Sequence, residues 1–321
     1  MLCSAPGAGP ITYRQLSPLF TKIHSAPLQL LPLDWLKQAG VEVAVLRLDL
    51  VDHELSGNKW YKLTHHLAAA GEAGCRGFIS LGGPHSNHLH ALAAAGRRYG
   101  LATVGLVRGF EQLTPTVTDL LEFGMQLHWL GYGGYRARHQ EDFWSAWLER
   151  YAGYHCIPEG GGGLQGALGC VPLVAQLDAQ LSGLGWDDHH GWWLAAGTGT
   201  TLAGIVIGEG GRRPVYGALA GPPSHAVAQE LTRLLGEAGV PDSGYRLLDA
   251  SRGGFGRFDD ELISFLSETE LASGMPLEPV YTAKAMMALR LYVDAGYFAR
   301  GTRLIFVHTG GLQGRRAAFR Q

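Results

Sequence analysis

Two lysines lie three residues apart in the stretch SGNKWYKL, which comes shortly after the apolar run VEVAVLRLDL. They are Lys59 and Lys62, and only five of the 26 basic residues in the chain are lysines. A lysine attacks a carbonyl carbon through its neutral amine, which burial or a nearby cation favours. Lys59 directly follows a Ser-Gly-Asn turn at a predicted helix start, where the helix dipole lowers the pKa of an amine. The pattern indicates carbonyl chemistry, and an ordinary solvated helical lysine is the alternative.

A turn rich in glycine and threonine joins the apolar run GWWLAA to the helical pattern TTLAGIVIG. The turn and helix start comprise Gly197, Thr198, Gly199, Thr200 and Thr201. Backbone N–H groups and hydroxyls at a helix N-terminus bind phosphate well, so this turn is a candidate anion site. No lysine follows it as in a P-loop, and its glycines do not have the G-x-G-x-x-G spacing. The alternative is a tight turn with a threonine cap.

The stretch SLGGPHSNHLHAL brings Ser86 and Asn87 to the start of another predicted helix, with Ser86 as the N-cap. In open α/β sheets, ligands bind in the crevice beyond the carboxyl ends of the strands, where these side chains would lie. The histidines His85, His88 and His90 raise the alternative of a metal site. No carboxylate or cysteine lies at ligand spacing nearby, and His88 and His90 diverge on a helix, so the pattern does not favour a metal.

Two hydroxyl-bearing residues lie in the last part of the sequence, Tyr281 in EPVYTAKAM and Thr309 in IFVHTGG. Thr309 follows an apolar run, so its hydroxyl would lie at the carboxyl end of a strand and within reach of the same crevice. A turn cap is the alternative for Thr309. A half-buried core position is the alternative for Tyr281.

The elements that carry these residues alternate between short apolar runs and helical patterns, which predicts an α/β fold with mostly parallel sheets covered by helices. The predicted strands are 41–50, 75–83, 101–109, 125–131, 191–197, 214–220 and 303–311. The predicted helices are 60–74, 86–100, 114–124, 135–153, 164–181, 198–208 and 223–239. The glycine-rich stretch 160–163 is the predicted passage between two sheets.

The composition predicts a soluble cytoplasmic protein. The 321 residues are 46% hydrophobic and 17% charged, and the net charge of −2 gives no reason to expect nucleic acid or an anionic membrane as a partner. The four cysteines, Cys3, Cys75, Cys156 and Cys170, form no C-x-x-C pair, so reduced intracellular thiols are expected. No apolar run has the length of a membrane span, and no signal-peptide pattern is present.

Taken together, SGNKWYKL, GGPHSNHLHALAAAG, AAGTGTTLAG, EPVYTAKAM and VHTGG resemble one family in order and spacing over residues 41–314. It is the family of D-cysteine desulfhydrase and 1-aminocyclopropane-1-carboxylate deaminase, which are pyridoxal-phosphate enzymes with the tryptophan-synthase-β fold (fold type II). The resemblance implies two open, twisted, mostly parallel sheets covered by helices. It also implies a small domain at 51–160 inserted into a large domain formed by 1–50 and 161–321. A homodimer that binds pyridoxal 5'-phosphate and acts on a small amino acid is the expected form.

The resemblance also implies a role for each matching residue. Lys59 would form the internal aldimine and then act as the base, with Lys62 in support. Asn87 would bond the ring 3-hydroxyl, Ser86 would lie by the substrate carboxylate or assist proton transfer, and Tyr281 would face the substrate. The expected cofactor contacts are Lys59, Asn58, Asn87, the phosphate-binding Gly197, Thr198, Gly199, Thr200 and Thr201, and Thr309 at the pyridine nitrogen.

The activity that the resemblance implies is elimination of a β-substituent from a small amino acid, favouring D-cysteine or a related D-amino acid. The products are a 2-keto acid and ammonia. Ring-opening of 1-aminocyclopropane-1-carboxylate is the second hypothesis, and a cofactor-binding protein with little turnover is the third. Three positions depart from the family pattern: Thr282 replaces the glutamate of the deaminases, Phe255 replaces a usual tyrosine, and His85 replaces a usual glutamine.

Overall fold

The computed structural model describes residues 25–55, 57–222 and 226–318. Ser56, which begins the lysine motif, lies outside these ranges, as do Cys3 and the rest of 1–24 of the predicted large domain. The first three residues of the helix predicted over 223–239 also lie outside them. Within the described ranges, no helix is long and apolar enough to cross a membrane.

The larger sheet has six strands in the order β1-β2-β10-β7-β8-β9. They are β1 (Leu28–Leu30), β2 (Glu42–Arg47), β7 (Trp192–Ala196), β8 (Val215–Leu219), β9 (Tyr245–Asp249) and β10 (Arg303–His308). The edge strand β1 pairs antiparallel with β2, and every other pair is parallel. Parallel neighbours require crossovers, and helices supply them here.

Helices cover both faces of the larger sheet. One face packs against α7 (Gly163–Cys170), α8 (Pro172–Asp178), α9 (Thr200–Glu209) and α10 (Val227–Glu237). The other packs against α1 (Asp34–Ala39), α11 (Asp260–Ser273) and α12 (Thr282–Asp294). Side chains of one strand alternate between the two cores, so that Trp192 and Leu194 belong to the first and Trp193 to the second.

The smaller sheet has four parallel strands in the order β5-β4-β3-β6. They are β3 (Gly77–Gly82), β4 (Ala102–Val107), β5 (Gln126–Trp129) and β6 (Tyr154–Ile157). Its helices are α2 (Asn58–Glu72), α3 (Asn87–Tyr99), α4 (Pro115–Glu122), α5 (Gly131–Arg136) and α6 (Phe143–Arg150), and α13 (Arg315–Ala318) follows β10. All its strands lie in the chain between β2 and β7. The predicted α/β fold with two mostly parallel sheets is confirmed. The domain bounds at 51 and 160 stay predictions.

Two of the predicted helices are wrong in extent. The helix predicted over 135–153 is divided into α5, a 3-10 turn at Ala137–His139 and α6, because Gln140 adopts an extended conformation with φ −82° and ψ 146°. The helix predicted over 164–181 is divided into α7 and α8 at Pro172. Proline has no N–H to donate and is favoured as the first residue of a helix, so α8 begins there.

Seven of the described strands coincide with predicted ones, and three do not. The unpredicted strands β1, β6 and β9 all lie at the edges of their sheets. Each of them contains partly or fully exposed residues, whereas every residue of the central strand β3 is buried. A continuous apolar run is the sequence signal for a buried parallel strand, so strands that are covered on fewer sides are harder to detect.

Candidate active site

Four loops of the two sheets converge on one region of the molecule. They follow β3 (83–86), β6 (158–162), β7 (197–199) and β10 (309–311), and each leaves the carboxyl end of its strand. Ligands of open α/β sheets bind in this crevice, because these loops present backbone N–H groups and helix starts there. The structure therefore brings together loops from parts of the chain that are far apart in sequence.

The helix that carries the two lysines starts directly against the end of β10. Gly57 has φ +70° and ψ −149°, and a β-carbon at this position would lie 2.1 Å from the Thr309 carbonyl oxygen, so a larger residue is excluded. The Asn58 N–H donates to that same carbonyl at 3.0 Å. The Asn58 side-chain amide donates to Thr201 Oγ1 at 2.8 Å. Asn58 thus ties the start of α2 to β10 and to the start of α9.

Both lysine amines lie at the glycine-rich loop after β6. Lys59 Nζ donates to the Gly160 carbonyl at 3.3 Å, and Lys62 Nζ donates to the same oxygen at 3.2 Å and to Thr198 Oγ1 at 3.4 Å. Burial lowers the pKa of Lys59 well below its usual value, and the neighbouring Lys62 lowers it further. Burial also lowers the pKa of Lys62, which is 2% exposed. Burial, rather than the helix dipole invoked from sequence, is therefore the main reason that Lys59 favours the neutral amine.

His88 is part of this cluster, although its sequence context pointed only to an unfavoured metal site. It is 1% exposed, and its Nε2 lies 2.8 Å from Ser80 Oγ in the middle of β3. Burial first, and then Lys59 and Lys62, hold its pKa well below the usual value, so the ring is neutral. A β-carbon on Gly161 would lie 3.2 Å from His88 Nδ1, so this glycine lets the loop pack against the ring.

The glycine-threonine turn has the form expected for an anion site. Gly199 adopts φ +78° and immediately precedes α9, whose first residues are Thr200 and Thr201. Thr198 Oγ1 and Thr200 Oγ1 lie 3.0 Å apart. Hydroxyls, first-turn N–H groups and the Lys62 amine therefore lie at the same loop, which is a favourable environment for a phosphate dianion.

Ser86 is confirmed as the N-cap of α3, since its Oγ accepts from the Leu89 N–H at 3.2 Å. The neighbouring Asn87 has a buried Oδ1 without a hydrogen-bond partner among the described residues. Its Nδ2 lies 2.5 Å from the position that a β-carbon on Gly311 would take, so Asn87 faces the loop after β10. A buried amide oxygen that lacks a donor fits a ligand that brings a hydroxyl, such as the ring 3-hydroxyl of pyridoxal phosphate.

Thr309 and Tyr281 complete the set of predicted residues. Thr309 is 8% exposed and directly follows β10. Tyr281 precedes α12, and a β-carbon on Gly197 would lie 2.9 Å from its ring, so the tyrosine packs over the glycine-threonine turn. The Phe255 ring meets the Tyr281 ring edge-on, with centroids 5.7 Å apart. These two aromatic rings form one wall beside the predicted phosphate loop.

Thr282 faces away from this wall. It is fully buried, and its hydroxyl accepts from the Glu278 N–H at 2.8 Å. The Glu278 carboxylate in turn accepts from the N–H groups of Val280, Tyr281 and Thr282 at 2.6–2.8 Å, which caps the start of α12. Burial raises the pKa of Glu278 to about 7, although these donors favour its charged form. The position after the tyrosine therefore serves the helix cap.

No group of three or more histidine, cysteine, aspartate or glutamate side chains able to hold a metal ion is found across residues 25–55, 57–222 and 226–318. Each of the predicted site residues belongs to a loop of the crevice, contacts such a loop or contacts another predicted site residue. Sequence alone did not assign Gly160, His88 or Glu278 to this site, because their contacts depend on how the loops meet.

The family is now defined by comparison as well as by geometry. Residues 21–310 match the model of the family described as "Pyridoxal-phosphate dependent enzyme", and the chain belongs to this family. The fold type II architecture and the pyridoxal-phosphate cofactor predicted from sequence are thus confirmed.

Among its relatives, a Pyrococcus horikoshii protein named "Putative 1-aminocyclopropane-1-carboxylate deaminase" is 30% identical over 301 residues, covering 90% of this chain and 90% of that protein. An Arabidopsis thaliana protein is named "Bifunctional D-cysteine desulfhydrase/1-aminocyclopropane-1-carboxylate deaminase, mitochondrial". It is 28% identical over 322 residues, covering 93% of this chain and 78% of the relative. A crystal structure of an "ACC deaminase homologue" superposes with a TM-score of 0.78 at 26% identity. The match covers 93% of this chain and 95% of the chain in that structure. The chain is thereby a relative of pyridoxal-phosphate deaminases and lyases.

Proposed function

We propose that this protein is a pyridoxal-phosphate lyase that eliminates a β-substituent from a small amino acid, with D-cysteine or a related D-amino acid as the substrate. The products would be a 2-keto acid and ammonia, together with sulfide when the substrate is cysteine. The observation that carries the proposal is the amine of the half-buried Lys59, held with Lys62 at the Gly160 carbonyl beside the Thr198 hydroxyl. A neutral amine at a phosphate-compatible loop is what carbonyl chemistry on a phosphorylated aldehyde requires.

The residues of this chain fit the cofactor in three places. The Gly197–Thr201 stretch would hold the phosphate, and Lys59 would hold the aldehyde carbon. Asn87 Oδ1, which has no hydrogen-bond partner among the described residues, would accept a hydrogen bond from the ring hydroxyl. Pyridoxal phosphate, when bound, supplies a ring that withdraws electrons from the substrate α-carbon. Lys59, once released, is the amine that would take the α-proton, and its lowered pKa shifts it toward the free base that this step needs.

Two uncharged hydroxyl residues support elimination. Thr309 would be the partner of the pyridine nitrogen, and a threonine hydroxyl would not keep that nitrogen protonated as a carboxylate would. Thr282 offers no carboxylate next to Tyr281, and its hydroxyl is bonded to the main chain of Glu278. The deaminase pattern that calls for a glutamate after the tyrosine is therefore missing.

Ring-opening of 1-aminocyclopropane-1-carboxylate is the second candidate, and the names of the relatives favour it. The Pyrococcus horikoshii and Arabidopsis thaliana proteins both carry this activity in their names, as does the homologue of known structure. The same fold and the same lysine would serve either reaction. Thr282, which replaces the glutamate of the deaminase pattern next to Tyr281, supports the first candidate over the second.

The deciding experiment is 2-keto acid release by the purified holoenzyme from a panel of amino acids. The panel contains D- and L-cysteine, D- and L-serine, β-chloro-D-alanine and 1-aminocyclopropane-1-carboxylate. We expect pyruvate from D-cysteine or β-chloro-D-alanine and none from the cyclopropane. Formation of 2-oxobutyrate from the cyclopropane would support the second candidate. No product from any compound, with the cofactor bound, would contradict both.

Lysine variants test the site itself. Borohydride reduction followed by peptide mapping should place the pyridoxyl group on Lys59, and K59A should lose at least about 10³-fold in turnover. The matched control is K37A, because Lys37 is an exposed lysine in α1 and should leave turnover unchanged. Labelling of Lys62 instead would contradict the assignment of the two roles.

A further inference from the structure

Besides Lys62, a second buried lysine, Lys284, is 1% exposed on α12 and lies away from the two lysines at the Gly160 carbonyl. Its Nζ donates to the carbonyl oxygens of Ser251 and Gly254, both at 2.7 Å, and to that of Ala220 at 3.4 Å. All three acceptors are main-chain carbonyls. Burial of an ammonium group is costly unless its hydrogen bonds are made, so this arrangement is specific rather than incidental.

The carbonyls come from loops at the carboxyl ends of two adjacent strands. Ala220 follows β8, and Ser251 and Gly254 follow β9. The turn between them is conformationally unusual, since Arg252 has φ +45°, Gly253 φ +81° and Gly254 φ +139°. Left-handed backbone is unfavourable for arginine, and a turn of this kind needs contacts that hold it. The Lys284 ammonium supplies two of these contacts at short distance.

This turn connects directly to the wall of the active site. Phe255 is the next residue after Gly254, and its ring packs edge-on against Tyr281. Tyr281 precedes the first residue of α12, and Lys284 lies in the first turn of the same helix. The start of α12 therefore places Tyr281 at the site and the Lys284 ammonium at the turn that precedes Phe255.

We propose that Lys284 is a positioning residue whose ammonium takes the place of a bound monovalent cation, fixing the 251–254 turn so that Phe255 stays against Tyr281. Rings of main-chain carbonyl oxygens are the ligands that K⁺ and NH₄⁺ use in proteins, and an ammonium on a tether satisfies the same oxygens. The structural part of the proposal stands by itself, whereas its effect on substrate selection rests on the proposed function.

The test compares cation-specific stabilisation in the wild-type protein and two variants. K284A should leave a cavity lined by the same carbonyls, and K⁺ or NH₄⁺ should raise its thermal midpoint by about 3 °C or more over tetramethylammonium at equal ionic strength. K284M fills the cavity with an uncharged side chain, so its midpoint should not distinguish the three cations. The wild-type midpoint should not distinguish them either, because the site is already filled.

Two results would overturn the proposal. One is a K284A midpoint that is the same with all three cations, and the other is a wild-type midpoint that depends specifically on K⁺. If K284A does not fold, the wild-type salt series and K284M remain. K284M should be cleaved by trypsin at Arg252 or Arg257 faster than the wild type, and equal cleavage would contradict the role of Lys284 in the turn.

Kinetics address the link to the substrate. With any substrate that the panel identifies, K284A should lose about 10- to 100-fold in kcat/KM, mainly through KM, and K⁺ or NH₄⁺ should restore part of the loss while tetramethylammonium does not. Unchanged kinetics in K284A would contradict the link to Phe255 and Tyr281. If the panel is silent, the proposed function fails while the thermal series still decides whether Lys284 replaces a cation.

Discussion

At the scale of single residues, the proposed chemistry depends on amines whose charged form is disfavoured by burial. Lys59 and Lys62 donate to the same carbonyl oxygen, burial disfavours the charged form of both, and Lys62 further disfavours the charged form of Lys59. The neutral ring of His88 adds no further positive charge to the pair. The folded protein therefore avoids the free-energy cost of desolvating two fully charged lysines beside the glycine-threonine turn.

Position 282 allows a sharp test of substrate choice at this scale. T282E would place a second carboxylate against the buried Glu278, and we expect a loss of about 3 kcal/mol or more in the free energy of unfolding. We also expect no gain in ring-opening of the cyclopropane. Urea denaturation and a 2-oxobutyrate assay measure the two effects. The control T282S keeps the hydroxyl and should stay within about 1 kcal/mol of the wild type.

A T282E protein that is as stable as the wild type and opens the cyclopropane ring would show that this side chain can turn into the site. In that case the helix cap seen between Thr282 and Glu278 would not be what limits the activity. The sequence difference from the deaminases would then explain substrate choice directly.

At the scale of elements, α2 is the helix that joins the two halves of the molecule. Its Trp60, Leu63 and Leu67 belong to the core of the smaller sheet, whereas Tyr61 belongs to the core of the larger one. The Tyr61 hydroxyl donates to Gln176 on α8 at 2.9 Å. A lysine on this helix is therefore held by both cores at once, and its amine has a fixed position relative to the loops of both sheets.

The contact between α2 and α7 depends on a glycine. A β-carbon on Gly169 would lie 2.1 Å from the Tyr61 carbonyl oxygen, which is main chain and cannot move without the helix. We expect G169A to lower the free energy of unfolding by about 3 kcal/mol, because the two helices must separate. Chemical denaturation measures the change.

Gly236 provides the matched control for that prediction. It is also a helical glycine, in α10, but nothing lies within 4 Å of a β-carbon placed there. G236A should be neutral or should stabilise the protein by up to about 1 kcal/mol, because alanine favours the helix over glycine. Equal effects of the two substitutions would mean that the close approach of α2 and α7 does not limit stability.

At the scale of the whole molecule, the predicted cofactor contacts come from both sheets. Lys59 and Asn87 belong to helices of the smaller sheet, whereas the glycine-threonine turn and Thr309 follow strands of the larger one. A ligand that contacts all of them links the two halves. Its binding free energy is then added to the stability of the folded chain, because the unfolded chain has no such site.

Removal of the cofactor should therefore lower the thermal midpoint of the protein. At a pyridoxal-phosphate concentration of about 100 Kd, we expect a stabilisation of about 2.7 kcal/mol, or roughly 5 °C in a chain of this length. Differential scanning calorimetry with and without the cofactor measures it. Pyridoxal without phosphate should give a smaller shift, since it leaves the turn unfilled. Equal midpoints in all three conditions would contradict a cofactor held by both halves.

The sequence by itself determined the class of fold and the central strands. Apolar runs that end in glycine, serine or threonine are local signals, because burial on both faces requires apolar residues and tight turns require glycine. The same local signals predicted the Ser86 cap, which the structure confirms. The order of motifs in the family resemblance added the cofactor, which the family match confirms. The individual roles of the site residues stay predictions.

The tertiary structure decided what depends on distant parts of the chain. The contact between Lys62 and Thr198 joins residues 136 positions apart, and no local pattern carries that information. Burial of Lys62, the unpartnered oxygen of Asn87, the cap formed by Glu278 and the carbonyl cage around Lys284 all arise only when loops from separate strands meet. Side-chain type follows from sequence, but desolvation and hydrogen-bond partners follow from packing, and these set the reactivity of an amine.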